Sequence, residues 1–489
     1  MQLRNSPTKL GGGLPSLAYA SAHSLRPVDR RLGWIVVTRA WFWLPLLIYA
    51  PTLTGPFMLD DLYMIRRIER FRDGRLAKPA LFEFFRNPEA LREQRDRTTF
   101  VWWIAGDQRT AFFRPIAEAD WLINYALFGR RPVLHRLVGL AWLALVLVLL
   151  RRLFKLASRN AAHADLSVLL FGIAQTAALP ATFVSGRNDL LVVAGLAVAT
   201  IGFWTARRMR RMTPGLALAV VGYVFALGCK EAAAPLAAVW LLFAWIERRR
   251  RTAEQQRETT SERPHARTGS SGLRTFAAVA MMIAFIYAVV YVASGYGSQR
   301  LQVADSTSVV GDGGSALLQW LKPAFHVVQN AAFFLQVWMI GIPGGLLLLF
   351  DRPGLAWLLV APAMLVAFLV VRRARTCWTK SASFRFFALW GLLFSLPPLL
   401  ASPEPRLFCA ASVGWAYCLP VILIGSRRGR TRWGDFLLRE WMLVANGGMA
   451  VAFGLGASLW TAHYENVCQS NISAYLRALD RPLRAGDAL

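Results

Sequence analysis

The chain has 489 residues, of which 55% are hydrophobic and 17% charged, with a mean hydropathy of +0.39. A soluble globular protein carries roughly 25% charged residues, so the composition excludes a disordered chain, a collagen and an ordinary soluble enzyme. The net charge of +28 does not point to nucleic acid, because the basic residues fall in short blocks at the ends of apolar runs and no basic stripe interleaved with aromatics lies in a polar segment.

Apolar runs of about bilayer-crossing length recur along the chain. They predict an all-α polytopic membrane protein, in which each helix satisfies its own backbone hydrogen bonds. Residues 1–33 are polar and basic without a signal-peptide pattern, so the first apolar run reads as a retained helix. That helix spans about Trp34–Thr54, and Arg4, Lys9, Arg26, Arg30 and Arg31 before it predict a cytoplasmic N-terminus. Residues 55–115 then form an extracytoplasmic loop, partly of amphipathic helix, followed by a short interfacial helix at Asp120–Phe128.

The second helix covers Pro132–Leu150 and ends on Arg151, Arg152, Lys155 and Arg159. Further helices are predicted at Leu166–Phe183, Leu190–Trp204, Pro214–Gly228, Ala232–Ile246 and Thr275–Ser294. Residues 319–350 are apolar but broken by Gly341, Pro343, Gly344 and Gly345, and read as a re-entrant pair or surface helix. Helices at Leu355–Val371, Phe384–Leu400, Leu407–Ile424 and Trp441–Trp460 complete a bundle of about 11 (11–13) crossings. Basic clusters at 151–159, 207–211, 248–251, 372–375 and 427–432 are placed on the cytoplasmic side. The predicted organisation is therefore a cytoplasmic segment 1–33, a transmembrane module 34–246, a polar cytoplasmic linker 247–274, a second transmembrane module 275–461 and an extracytoplasmic tail 462–489.

Charge clusters at the ends of these helices carry the chemical information. Asp60–Asp61, Arg114, Arg187–Asp189, Lys230–Glu231 and Glu404–Arg406 all fall on the side opposite the basic clusters. Ionisable groups beside the hydrocarbon are costly and are more often functional than random. The Asp60–Asp61 pair can cap a helix, which on spacing alone is the simpler role. It can also supply a general base to an acceptor hydroxyl. Arg114, Arg187, Lys230 and Arg406 could individually snorkel to head groups, and together they could grip a lipid phosphate. Asp189 and Glu231 are expected to pair with neighbouring cations or align an acceptor. His135 and His326 read as structural. Trp34, Trp320 and Trp460 read as interface anchors, and Trp102, Trp103 and Phe112 are weaker candidates for an acceptor groove. Five cysteines, with no CxxC pair, suggest neither a metal site nor a disulfide framework.

These segments occur in a fixed order: the DD pair after the first helix, FFRPI around Arg114, PATFVSGRNDLL from Pro180 to Leu191, GCKEA around Lys230, and EPRLFCAASVG from Glu404 to Gly414. The set resembles the GT-C superfamily of polyprenyl-phosphate-dependent glycosyltransferases, and within it the protein O-mannosyltransferase-like group that includes the transmembrane tetratricopeptide-containing O-mannosyltransferases. The resemblance spans about residues 34–425, without the tetratricopeptide domain. It departs from the group at Cys229, where Ser is usual, and in the last segment, where Pro405 separates Glu404 from Arg406 and Ala411 replaces Pro.

The resemblance implies a GT-C-like bundle that transfers a sugar, with inversion, from a polyprenyl-phosphate donor to an acceptor hydroxyl on a protein, lipid or glycan. It makes Asp60 or Asp61 the catalytic base, with Asp61 favoured. The charge pattern adds that Arg114, Arg187, Lys230 and Arg406 suit the donor's lipid phosphate, supported by Asp189, Glu231 and Glu404. Some members of the group need a divalent metal and some do not. No ligand set is visible, so no cofactor is expected. Membrane lipids are expected partners and nucleic acid is not. The preference for Arg (50) over Lys (6) suggests a GC-rich bacterial genome, hence an inner-membrane protein with a periplasmic active face. A transporter or flippase of a lipid-linked or small polar substrate is the alternative function.

Overall fold

The computed structural model describes residues 39–57, 60–85, 110–208, 212–258, 270–298, 371–372, 374–400 and 405–424. The predicted helices at 355–371 and 441–460, the broken apolar segment 319–350, and His326 and Glu404 lie outside the described residues.

The described chain is overwhelmingly helical. Helix α1 (Ala40–Tyr49) continues as a 3-10 turn (Ala50–Thr54) and is followed by α2 (Asp60–Arg72) and α3 (Pro115–Phe128). Next come α4 (Pro132–Ser158), α5 (Ala161–Gly172), α6 (Gln175–Thr182), α7 (Arg187–Arg208) and α8 (Met212–Cys229). The described bundle ends with α9 (Pro235–Glu258), α10 (Ser270–Ala293), α11 (Ala382–Leu400) and α12 (Cys409–Ile424). Among the described residues, four helices are long and apolar enough to cross a membrane, or five if α5 and α6 form one bent span.

Several boundaries differ from expectation. Helix α4 runs through Arg151 and Arg152 to Ser158, because arginine is a good helix former and its charge leaves the apolar surface without ending the helix. Helices α9 and α10 together extend into both ends of the expected linker 247–274. The helix expected at Leu166–Phe183 is two pieces bent by 64°. At the break the carbonyl of Gly172 accepts a hydrogen bond from the Tyr49 hydroxyl at 3.1 Å, so a backbone group freed by the bend is satisfied from α1. A side chain at Gly172 would collide with Pro45, its Cβ lying 2.6 Å from a ring carbon.

The all-α expectation also misses a small antiparallel sheet of β1 (Glu83–Phe85), β2 (Thr110–Ala111) and β3 (Gly297–Ser298). Ala111 pairs with both Glu83 and Gly297. These strands are too short to show alternation in sequence, yet they tie the first loop to the end of α10 and hold Phe112–Arg114 in place.

Helices α7 and α8 form the tightest pair. Gly195, Ala199, Gly202 and Ala206 on α7 face Gly215, Ala219, Gly222 and Ala226 on α8. A Cβ on Gly202 or on Gly222 would sit 2.5 Å from backbone nitrogen of the other helix. Facing rows of small residues let helices approach closely where lipid gives no hydrophobic drive for association. This hairpin sets the start of α7 beside the end of α8, which fixes the geometry described next. The half of the bundle away from that end is filled by rings, with Phe203 stacked on Trp240 and Phe386 at 5.7 and 5.5 Å.

Candidate active site

Four segments distant in sequence meet at one end of the bundle. Asp60 and Asp61 open α2, Arg114 precedes α3, Arg187–Asp189 opens α7, and Lys230–Glu231 follows α8. The acids of the first turn of α2 and Asp189 in the first turn of α7 sit where helix N-termini favour negative charge.

Asp61 is fully buried, and its Oδ1 accepts the Ser185 backbone N–H at 2.7 Å. It therefore anchors the SGRND loop, and it lies within electrostatic reach of Arg136 and Arg187. Asp60 is partly exposed. Arg136 was not singled out by sequence. Its guanidinium donates to the Thr182 carbonyl at 2.6 Å and the Pro56 carbonyl at 2.5 Å. One buried arginine thus joins α4, the C-terminus of α6 and the segment leading to the Asp pair, satisfying a helix-end carbonyl that has no partner within its own helix.

Arg187, expected at the donor phosphate, lies inside the fold. Only 1% exposed, it sets Nε and Nη2 against one Asp120 oxygen, at 2.8 and 2.5 Å, and donates from Nη1 to the His135 carbonyl at 3.1 Å. A buried guanidinium must be paired to offset its desolvation, and Asp120 of α3 supplies that charge. Both edges being used inside the protein, Arg187 braces α3 and α4 against the start of α7. In sequence Asp120 is only the start of an interfacial helix, and no local pattern marks it as the partner of a residue 67 positions away.

The other two cation–acid pairs lie at the same end of the bundle, and of their four side chains only Glu231 is more than about a tenth exposed. The Arg114 Nε and Nη2 donate to the two oxygens of Glu231 at 3.1 and 2.6 Å. Lys230 donates to Asp189 Oδ1 at 2.6 Å. The guanidinium of Arg114 also lies over the Phe112 ring at 4.2 Å and the Phe82 ring at 5.3 Å. Phe112, read as part of an acceptor groove, thus carries Arg114, while Trp102 and Trp103 lie outside the described residues. Burial acts to raise the Glu231 carboxyl, but the charge and hydrogen bonds of Arg114, with Lys230 adding, hold it below its ordinary value. Burial likewise acts to lower the Arg114 guanidinium, and Glu231 outweighs it, leaving the group above its ordinary value.

Arg406 lies in the 3-10 turn Pro405–Phe408 ahead of α12. Cys409, next in line, is buried within electrostatic reach of Asp189 and Lys230, so the last sequence segment reaches the same cluster. Tyr287 and Tyr291 of α10, missed by sequence reading, come within electrostatic reach of Glu231 and Arg114. Their rings lie 5.8 Å apart, and Tyr287 donates to the Phe113 carbonyl at 3.2 Å. A tyrosine pair four residues apart in an apolar helix looks like any interface aromatic until its neighbours are known.

His135, 5.2 Å from the Phe57 ring, has its Nε2 2.9 Å from the Gly129 carbonyl, inside the fold. Among the described residues, no group of three or more His, Cys, Asp or Glu is arranged to hold a metal ion.

The cluster therefore presents a partly exposed carboxylate, Asp60, with two cations, Arg114 and Lys230, already balanced by acids at the same helix ends. Chemically it can take a proton, and an anion would bind Arg114 or Lys230 by displacing the acid each holds. No protein-family model matches the chain, and no curated protein matches it either.

Proposed function

We propose that the chain is an integral membrane glycosyltransferase that uses a polyprenyl-phosphate sugar donor. The donor phosphate is held near Arg114, Lys230 and Arg406, and the acceptor hydroxyl is deprotonated by an aspartate of the Asp60–Asp61 pair. The observation that carries this proposal is the convergence of the Asp pair, Arg114 and Lys230–Glu231 from separate segments at one end of an apolar bundle. In the reaction the acceptor oxygen attacks the anomeric carbon. The bond from that carbon to the phosphate oxygen breaks, the electron pair leaves with the polyprenyl phosphate, and the acceptor proton goes to the carboxylate. Configuration inverts. The base role falls to Asp60, because Asp61 is buried and bonded to Ser185, whereas a base must reach its substrate. Asp61 and Arg187 are positioning residues.

By charge placement this end is extracytoplasmic, in a bundle of about 11 crossings in a bacterial inner membrane. A site on that face has no nucleotide sugar at hand, which agrees with a lipid-borne donor. The bend between α5 and α6 is the feature a carrier would share, since transporters build sites at broken helices. The test is to incubate purified protein with polyprenyl-phosphate sugars and acceptors and to measure polyprenyl phosphate released. Release that depends on acceptor supports the transferase. Movement of substrate across proteoliposomes with no bond cleaved would establish the carrier instead.

A further inference from the structure

The opposite end of the bundle holds a second, differently built charge cluster. Glu247 on α9 accepts from Arg207 of α7 at 3.3 Å and from Arg385 of α11 at 2.8 Å. Arg207 also lies over the Phe243 and Trp204 rings at 4.8 and 5.1 Å. Those two arginines are thereby neutralised or shielded inside the bundle. The next two residues behave otherwise. Arg248 and Arg249 are exposed and carry no ion pair among the described residues.

They line a recess of about 410 Å³ with Trp245, Thr252, Ala253 and Gln256. The spacing of these residues places them on one face of α9, turn above turn. Among the described residues, no acidic side chain lines the recess. The Arg249 guanidinium stands 4.1 Å from the centroid of the Trp245 ring, a cation–π contact that holds it over the recess. The hydroxyl of Thr252 donates to the Arg248 carbonyl at 3.2 Å, which leaves its oxygen able to accept. Below the recess α9 is apolar, with Leu241, Leu242 and Trp245 exposed. The face therefore changes within about two turns from hydrocarbon-compatible surface, through an indole, to two guanidinium groups.

We propose that this face of α9 binds the headgroup of an anionic phospholipid. Arg248 and Arg249 hold its phosphate, Thr252 accepts from a headgroup hydroxyl, and the acyl chains run along Trp245, Leu242 and Leu241. Two guanidinium forks, with no acid among the described lining residues, select an anion. The adjoining exposed leucines and the interfacial tryptophan select one attached to hydrocarbon. An acidic protein segment would match the charge but would leave the apolar strip unused. The site is independent of the proposed transferase chemistry at the other end.

The full-length protein in detergent, titrated with phosphatidylglycerol and read by native mass spectrometry, tests this. Each arginine near an anionic headgroup contributes about fivefold, so Arg248→Gln with Arg249→Gln should weaken phosphatidylglycerol binding about 25-fold. Arg250→Gln with Arg251→Gln removes the same charge from other faces of α9 and should change binding less than about threefold. The Arg248→Lys, Arg249→Lys variant keeps the charge and controls for folding, and should retain most of the binding. Phosphatidylcholine should bind no better than to the Arg248→Gln, Arg249→Gln variant. Equal losses in the two Gln variants would overturn the site in favour of unspecific charge. Displacement of the lipid by millimolar inorganic phosphate would mark a free-anion site, and displacement by a short polyglutamate peptide a protein-docking patch. Either displacement overturns the lipid assignment.

Discussion

The ammonium of Lys230 lies 2.6 Å from a carboxylate oxygen of Asp189, 41 residues earlier in the chain. The pair closes the α7–α8 hairpin at the site end, and both side chains are more than nine-tenths buried. Removing one partner strands a charge in a poorly solvated place, while removing both does not. Lys230→Met should therefore destabilise the protein by about 3 kcal/mol. The double variant with Asp189→Asn should recover most of that loss. Thermal unfolding in detergent of the two single variants and the double variant measures the coupling, and additive losses would show that the pair does not act as a unit.

The approach of α7 to α8 rests on residues without side chains. A Cβ at Gly202 would lie 2.5 Å from backbone atoms of Gly215 and Ala219, which cannot move aside as a side chain can. Gly202→Ala should cost about 1–3 kcal/mol, and Gly202→Val more. Because the hairpin sets Lys230 against Asp189, the same change should lower donor affinity at a site one helix length away. Unfolding curves and donor titration check both effects. An unchanged Tm in Gly202→Val would refute the close packing.

The two aspartates of α2 should separate by phenotype. Asp60→Asn should lower turnover about 10²–10⁴-fold with Tm and donor binding unchanged. Asp61→Asn weakens the hold on the Ser185 N–H and uncovers buried positive charge, so it should lower Tm as well as turnover. Wild-type turnover from a folded Asp60→Asn, Asp61→Asn variant would return the pair to helix capping.

The Arg114–Glu231 pair carries a pH signature. The Glu231 carboxyl is lower in the folded than in the unfolded chain. Its contribution to stability is therefore fully present above the ordinary glutamate value of about 4.3 and is lost as pH falls through the folded value. Glu231→Gln should flatten that acid limb while leaving stability near neutral pH less affected than Arg114→Gln, which leaves Glu231 without its bidentate partner. Urea unfolding of wild type and the two variants between about pH 3 and pH 7 tests the sign, and an acid limb unchanged in Glu231→Gln would contradict it.

The sidedness derived from arginine placement can be checked separately. With native cysteines blocked, a membrane-impermeant maleimide added outside should reach Ala90→Cys and not Met209→Cys. The reverse pattern would invert the topology and move the proposed site to the cytoplasmic face.

The helical class was legible along the chain. Apolar runs of bilayer length with charge at their ends specify helices, and among the described residues four helices are long and apolar enough to cross a membrane, or five if α5 and α6 form one bent span. Sequence also placed Asp60, Arg114, Asp189, Lys230 and Glu231 at one end, since runs of charge mark where helices leave the hydrocarbon. The pairing of those groups was decided only by tertiary structure. Asp120 claims Arg187, Arg136 gathers two distant carbonyls, and Tyr287 and Tyr291 reach Arg114 and Glu231, because contacts between helices depend on how facing surfaces pack and not on spacing along either chain segment. The bend after Gly172 and the short strands of the first loop were equally out of reach. Each is held by a partner more than a hundred residues away in sequence, Tyr49 for the bend and Gly297–Ser298 for the strands, and no local pattern encodes such a partner.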